Sequence, residues 1–596
     1  MKRILSMLLI AALCICCAAA SAETPAFTAG TYPVTVNGRN GEMTIEVTFT
    51  DSAIEHVAVT AHQETAGISD AAIEQIPEAI VNNQSLAVDA IAGATITSDA
   101  IIEAVALAVE QAGGDVGALQ TAAERQTSTE TVTTAADVVV VGAGGGGLTA
   151  AVSLAQQGIS VALLEKMSFP GGATVTCGGG LTVAATAELK ELGEHDDPSV
   201  LEAYVAEHGN NLNIPELTHI FAYESGPAVD YLRGLGVEIT YSSEPSPRSN
   251  PSYALYSMNN GGAGFIATIS EIAKQTENLQ YMLSTDVKEL LTDESGAVTG
   301  VRALAADGTT YVISAKAVVL ATGSYSGNDD IVSTYYLPDT INTAPVYLTA
   351  DGILMAQEVG AAVNHLEWVE VSPAGIATSE HAGTYTSSQA SITSTTGSII
   401  VNQSGVRVMN EEASSAEQIE VYKAQENHAV YLVMNQNGYD QLKGAGINFG
   451  HVFFTAEDVD GWLAQDSIYP IMVKGDTAAE AAEAAGIDGA ALTETIARYN
   501  EIVAAGEDTD FGHTVSEPIE GPIYILELRL RHSKALGGLI ADENLQILDT
   551  DGNPIPNLYG VGELVSGSQG DTETGMLTWV IASAYHVGQT LGETLR

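Results

Sequence analysis

The run Gly142-Ala143-Gly144-Gly145-Gly146-Gly147 has the spacing G-x-G-x-x-G. Four valines, 138–141, precede it, and a helical stretch over 148–157 follows. The next strand, 161–164, ends in Glu165 at about the 20-residue spacing of a ribose-binding acid. Such glycines let backbone approach a pyrophosphate at a helix N-terminus, and the carboxylate accepts ribose hydroxyl hydrogen bonds. An acidic strand end disfavours a 2′-phosphate. A second Gly-rich loop, 170–180, follows closely and contains Cys177, read as a packed small residue rather than a nucleophile. Thr97 stands among small residues in 89–98. Arg531, His532 and Lys534 form a basic cluster just before Gly537-Gly538. The bland reading of that cluster is pairing with surface acids. The histidines show no H-E-x-x-H or other ligand spacing, so no metal is expected.

These residues need elements to position them. Residues 27–112 read as a small α+β unit, with alternating strands at 34–36 and 43–49 and helices at 73–81 and 98–111. Residues 115–135, rich in Gly, Thr, Ala and Gln, read as a linker. From Asp137, strand and helix signals alternate to about Gly323. The pattern changes between about 365 and 530, where helices are expected at 477–485 and 489–503. A buried strand over 318–323 and another over 557–563, ending in Glu563, complete the nucleotide-binding part. The expected boundaries are 1–22 (signal peptide), 23–114, 115–135 (linker), 136–365, 366–530 and 531–596.

Together these motifs resemble the succinate dehydrogenase/fumarate reductase flavoprotein superfamily over about residues 136–596. The fold implied is α/β: a Rossmann-like FAD-binding domain with an inserted α+β capping domain, preceded by a small α+β FMN-binding domain. The resemblance implies non-covalent FAD held by Ala143, Gly144, Gly147, Glu165, Ala173, Thr174, Gly179, Gly180, Val287, Asp351, Glu563, Thr578 and Trp579. Residues 89–98 resemble the flavinylation motif D-x-x-S/T-G-A-T-x-T, with Ala92 departing from it. That likeness implies FMN joined by a phosphoester to Thr97 through a dedicated FMN transferase. His62 to Gly67 and Ile76-Pro77 also fit that family. The competing reading is a Gly-Ala turn leading into a helix capped at Ser98.

Matched against the fumarate branch, several family residues are missing. The proton-donating Arg falls on Ser415, the relay Glu and Arg on Ser391 and Ser394, and a His on Ser372. The substrate-clamping Arg falls on Glu573. Two guanidinium groups that would neutralise a dicarboxylate are absent, and an unpaired carboxylate beside a like charge costs several kcal/mol. Fumarate and urocanate are therefore not the expected acceptors; a neutral or cationic one, or a larger one anchored by hydrogen bonds, is. Lys534 aligns with a lost His and is the first catalytic candidate, with Arg531 and His532 beside it. Arg407 is read as structural.

The chain has 596 residues and a formal net charge of −54. That charge excludes a nucleic-acid binder and disfavours anionic lipid. Lys2 and Arg3, an apolar run over 5–20 and Ala20-Ser21-Ala22 read as an export signal, so an extracellular, envelope or periplasmic location without stable membrane insertion is expected. A lipoprotein signal at Cys16 or Cys17 is the alternative. Beyond the signal only Cys177 remains, so neither disulfides, c-type haem nor an iron–sulfur centre is expected. Electrons must move through organic cofactors. The activity implied by the resemblance is anaerobic respiratory reduction of the C=C of an α,β-unsaturated acceptor, fed by an external quinol-linked or flavin-based donor. A ketosteroid-dehydrogenase-like enzyme, with Tyr422 or Tyr559 as base, and a non-catalytic flavin carrier are the alternatives.

Overall fold

The computed structural model describes residues 26–596 except 65–68, 89, 92–93, 121–127, 196, 243–253, 336–338, 449–450 and 465–468. The expected export signal and Ala92 lie outside the described residues. The chain divides into two compact units, one of residues up to 64 with 69–126, the other containing 127–596.

The first unit is a three-stranded antiparallel sheet, Gly30–Asn37, Glu42–Phe49 and Ile54–Ala61, covered by helices Asp70–Asn83 and Thr95–Gln111. Strand alternation turns Met43, Ile45, Val47 and Phe49 inward and leaves Glu42 and Glu46 outside. The second helix answers with Ile101, Ala104, Val105 and Ala108, spaced to form one stripe. Burying each large aliphatic side chain contributes roughly 1.5–3 kcal/mol.

In the second unit a six-stranded sheet runs in the order Leu279–Met282, Val161–Leu164, Val138–Val141, Ala317–Leu320, Pro554–Gly560, Gln546–Leu548. All its pairings are parallel except that of the last strand. Val138–Val141 sits between two parallel neighbours and is buried along its length, as its unbroken valine run requires. The glycines after it are steric necessities. Gly142 has φ +102°, and a Cβ there would lie 2.5 Å from the Ala321 carbonyl oxygen. A Cβ on Gly147 would lie 1.8 Å from the Gly142 carbonyl oxygen, so helix Gly145–Gln156 could not start where it does.

Two expected boundaries shift. The stretch read as a linker contains a short helix, Val116–Leu119, whose cap Asp115 accepts the Ala118 N–H at 3.2 Å. It also contains the strand Thr131–Ala135, paired in parallel with Thr310–Ser314 at the edge of a four-stranded sheet. An edge strand is held by backbone hydrogen bonds and needs few large apolar residues, which is why its composition misled. The boundary at 530/531 is crossed by one 13-residue strand, Ile523–Ala535, central to the seven-stranded capping sheet. Arg531, His532 and Lys534 therefore belong to the cap's own sheet. The expected helices at 477–485 and 489–503 are Ala478–Ala485 and Gly489–Ala505.

Candidate active site

A cavity opens over the N-terminus of helix Gly145–Gln156. Gly144, Glu165, Ala173, Thr174, Val287, Asp351 and Glu563 line it. Glu165 is buried and grips the turn it faces: Oε2 accepts the Ala143 N–H and Oε1 the Met167 N–H, both at 2.8 Å. Burial pushes its carboxyl up, and those two N–H groups oppose the shift. Thr174 Oγ1 accepts the Gly145 N–H at 3.3 Å.

Lys166, Thr322, Tyr347 and Val580 also line the cavity and were missed in the sequence. Lys166 is tied to Asp351 at 2.5 Å and to Thr349 at 2.7 Å. Its place directly after Glu165 was the available signal. The remaining candidates stand behind the lining. Gly147 is fixed by helix packing, and Gly179 has φ +77°, with Gly261 backbone 2.8 Å from where its Cβ would be. Gly180 starts the strand Gly180–Val183. Thr578 Oγ1 accepts the Thr182 N–H at 2.9 Å, and Trp579 Nε1 donates to the Gly562 carbonyl at 2.9 Å.

At the Glu563 end the cavity meets the cap. Glu563 accepts the Ala535 N–H at 3.0 Å. Burial pushes its carboxyl up to about 7, against that N–H, the Ser324 hydroxyl and the Lys534 charge. Next along the strand, Lys534 Nζ lies 2.9 Å from Glu370 Oε2 and 3.1 Å from Glu573 Oε2. Burial alone would lower its pKa, but Glu573 and then Glu370 outweigh it, so the ammonium stays charged well above its ordinary range. Glu573 is thus not the unpaired carboxylate expected from the sequence. It shares the Lys534 ammonium with Glu370, so the three groups together carry one net negative charge.

A bulge sets which side chains face this cluster. Strand Val369–Ala377 pairs Glu370 with Lys534, Val371 with His532 and Ser372 with Arg531, so Ser533 is the extra residue. Lys534 and Arg531 therefore share one face, and His532 takes the other. Arg531 lies over the Tyr385 ring, 3.9 Å from its centroid, and reaches Thr343 Oγ1 at 3.4 Å. Among the described residues no carboxylate pairs with it, and its Nε has no hydrogen-bond partner. Burial lowers its pKa, with Tyr385 and Glu370 opposing. His532 hydrogen-bonds Thr340 Oγ1 through Nδ1 at 3.1 Å, and burial followed by the Arg531 charge pushes it down to about 4. The three cations expected to act together are thus divided: Lys534 compensated, His532 neutral and turned away, Arg531 unpaired.

The other matched positions have local roles. Ser414, just before Ser415, makes a capping box with Glu417, so this run starts helix Ser415–Lys423. Ser394 Oγ bonds the Ala390 carbonyl at 2.7 Å within its own helix. Arg407 is buried and paired with Glu411 at 2.6 Å and Asp508 at 2.9 Å. Tyr422 is buried in the cap core, its hydroxyl shared between Gln389 and the Ala374 N–H, and neither it nor Tyr559 lines the cavity. Cys177 is half-buried, and burial raises its thiol pKa. Among the described residues no cluster of three or more His, Cys, Asp or Glu could hold a metal ion, and no helix is long and apolar enough to cross a membrane.

The FAD binding domain family matches residues 137–575 and the FMN-binding domain family residues 38–110. The chain is 30% identical over 570 residues to urocanate reductase of Eggerthella lenta, covering 94% of this chain and 91% of that protein. The chain belongs to the fumarate reductase/succinate dehydrogenase flavoprotein superfamily. NADH:acrylate oxidoreductase of Vibrio harveyi is 28% identical over 609 residues, covering 91% of this chain, which spans 59% of that longer protein. The fold is shared with the open conformation of a flavocytochrome c3 fumarate reductase, with TM-score 0.63, 24% identity and coverage of 78% of this chain and 79% of that one. It is shared too with 3-ketosteroid Δ1-dehydrogenase of Sterolibacterium denitrificans, with TM-score 0.64, 17% identity and coverage of 77% and 100%.

This flavoprotein is an FAD-dependent oxidoreductase acting on CH–CH groups, and its N-terminal unit contains an FMN-binding domain. The residues present fit FAD. Gly142 and Gly147 allow the close strand-to-helix approach that a Cβ would break, Gly144 lines the cavity, and Glu165 already orients the turn. In the FMN-binding unit Thr97 is the third residue of helix Thr95–Gln111. It is 3% exposed, and its hydroxyl donates to the Glu64 carboxylate.

Proposed function

We propose that this flavoprotein reduces the C=C of an α,β-unsaturated organic acceptor other than fumarate. In this reading it is exported, and an external quinol-linked or flavin-based donor feeds electrons through FMN on Thr97, placed there by a transferase, to FAD. When reduced, FAD supplies hydride for one carbon of the double bond.

The observation that carries the reading is the Glu370–Lys534–Glu573 cluster beside Glu563. Where the fumarate branch places cations for a dicarboxylate, this chain has a cation compensated by two carboxylates. Among the described residues, the cation here without an ion-pair partner is the Arg531 guanidinium, whose Nε has no hydrogen-bond partner. Held flat by Tyr385, it presents N–H donors to one carbonyl or carboxylate oxygen of the acceptor and draws electron density from the conjugated C=C. Lys534, locked in its ion pairs, holds its proton and offsets one of the two carboxylate charges beside it.

Enzyme matured with the transferase and reduced with a viologen should be reoxidised by at least one enoate, enone or enamide and not by fumarate. Arg531→Ala should raise KM for that acceptor at least tenfold. Rapid fumarate turnover would overturn the reading, and so would a panel in which nothing reoxidises the flavins.

A further inference from the structure

Glu64 sits over the first turn of the helix that carries Thr97. Its Oε2 accepts the hydrogen bond from Thr97 Oγ1, and its Oε1 accepts the Asn40 N–H at 2.9 Å. The hairpin turn leaves space for the carboxylate: a Cβ on Gly38 would lie 2.6 Å from Oε1. Three residues past strand Ile54–Ala61, the Glu64 N–H donates to His62 Nδ1 at 3.2 Å. Glu64 is 8% exposed and Thr97 3%. The reactive hydroxyl therefore already faces a buried carboxylate within the same unit. A base brought by a transferase would first have to displace it.

We propose that Glu64 is the general base for its own chain's flavinylation, taking the Thr97 hydroxyl proton as the phosphoester forms. The proposal rests on the reading that Thr97 carries FMN. The co-reactants are a flavin dinucleotide and the transferase. A bond forms from Thr97 Oγ1 to the phosphorus of the FMN half. The bond from that phosphorus to the bridging pyrophosphate oxygen breaks, and AMP leaves with that oxygen. The hydroxyl proton passes to Glu64 Oε2, and nothing is oxidised or reduced. The direction suits the product. Once Oγ1 is an ester oxygen it has no proton to give, and an ionised Glu64 would face an ester and a phosphate. Protonated, it is neutral and can donate to them.

The test uses the full chain from a host lacking the transferase, mixed with transferase and FAD, with initial rates of FMN mass gain read across pH 4–9. General-base assistance is typically worth 10²–10⁴-fold. Glu64→Gln keeps a hydrogen-bonding amide but cannot take a proton. It should lower the maximal rate at saturating transferase at least 100-fold and abolish the acid limb of the pH profile. Glu64→Asp should be slower than wild type but keep the limb. Circular dichroism melts check that each variant is folded, and an unfolded Glu64→Gln leaves the decision to Glu64→Asp. The proposal is overturned if Glu64→Gln is modified at the wild-type rate, if its acid limb persists, or if the limb disappears in His62→Gln instead. Wild type that gains no mass, or Thr97→Ala that still gains it, removes the Thr97 reading itself.

Discussion

Lys534 Nζ and Glu573 Oε2 lie 3.1 Å apart, joining the long cap strand to the segment just before helix Met576–Leu595. The same carboxylate accepts the Met576 N–H through Oε1 at 2.5 Å. Glu573 thus caps the last helix while it compensates the lysine. Lys534→Met would leave Glu370 and Glu573 near each other without a cation. Breaking a fully buried pair costs 3–5 kcal/mol, but Lys534 is 37% exposed, so solvent screening reduces the expected loss to about 1–2 kcal/mol. Glu573→Gln should cost less, because Glu370 still holds the ammonium at 2.9 Å. Urea unfolding of both variants checks the order, and a larger loss in Glu573→Gln would contradict it.

Two buried groups near the cavity should make opposite contributions to pH dependence. Glu563 titrates near 7 in the folded chain, above an ordinary value of 4.5. The folded state holds that proton more tightly, so its stabilisation is complete below about 4.5 and is lost as pH rises through 7. His532 titrates near 4, below an ordinary 6.5. Its stabilisation is complete above about 6.5 and is lost as pH falls through 4. Each shift corresponds to roughly 3 kcal/mol, and across the shared window the two nearly cancel. With only the Glu563 contribution left, His532→Gln should therefore itself lose stability as pH rises from about 4.5 to 7. Glu563→Gln should lose it as pH falls from about 6.5 to 4. Calorimetric Tm values at matched flavin content read both slopes, and slopes of the same sign would exclude this account.

The nucleotide site was legible because its chemistry is local. Glycine at 142, 144 and 147, a valine strand before them and Glu165 after them are one contiguous message, and sterics at Gly142 and Gly147 enforce it. The ionic cluster was legible only in part. Lys534 and Glu573 were noticed separately, as two departures from a family pattern. Their pairing depends on chain segments about forty residues apart and on a bulge at Ser533 that no spacing rule announces. Glu370 could have been found: it alternates with Ser372 on one strand and so shares its face. The capping run at 414–417 has a local role of its own. Small polar residues that start a helix occupy the stretch matched to a proton donor.

Gly147→Ala tests the cradle directly. A methyl group 1.8 Å from the Gly142 carbonyl oxygen cannot be accommodated by a side-chain shift, because the obstacle is backbone. Helix Gly145–Gln156 must move away from strand Val138–Val141, and the turn that Glu165 holds through Ala143 moves with it. FAD content per chain should fall at least tenfold, while the FMN proposed on Thr97, in the other unit, should be unchanged. The ratio of released to protein-bound flavin after acid precipitation measures both, and FAD retained at wild-type stoichiometry would show that the turn does not hold it.

The cap has its own buried charge centre, remote in sequence from the nucleotide motif. Arg407 donates to Glu411 through Nε at 2.9 Å and Nη2 at 2.6 Å, and its Nη1 lies 2.9 Å from Asp508. The guanidinium also lies over the Tyr499 and Phe511 rings, 5.6 and 5.0 Å from their centroids. Asp508 in turn accepts the N–H groups of Asp510, Phe511 and His513, so it organises the loop after helix Gly489–Ala505. Arg407→Met keeps much of the packing volume but leaves two buried carboxylates without a cation, which should cost about 3–5 kcal/mol. Arg407→Met with Glu411→Met and Asp508→Asn removes the stranded charges and should recover part of that loss, since the penalty lies in the uncompensated acids rather than in the missing arginine. Denaturant midpoints of the single and triple variants decide it: a triple variant no more stable than Arg407→Met would locate the energy in the guanidinium's contacts with Tyr499 and Phe511 instead.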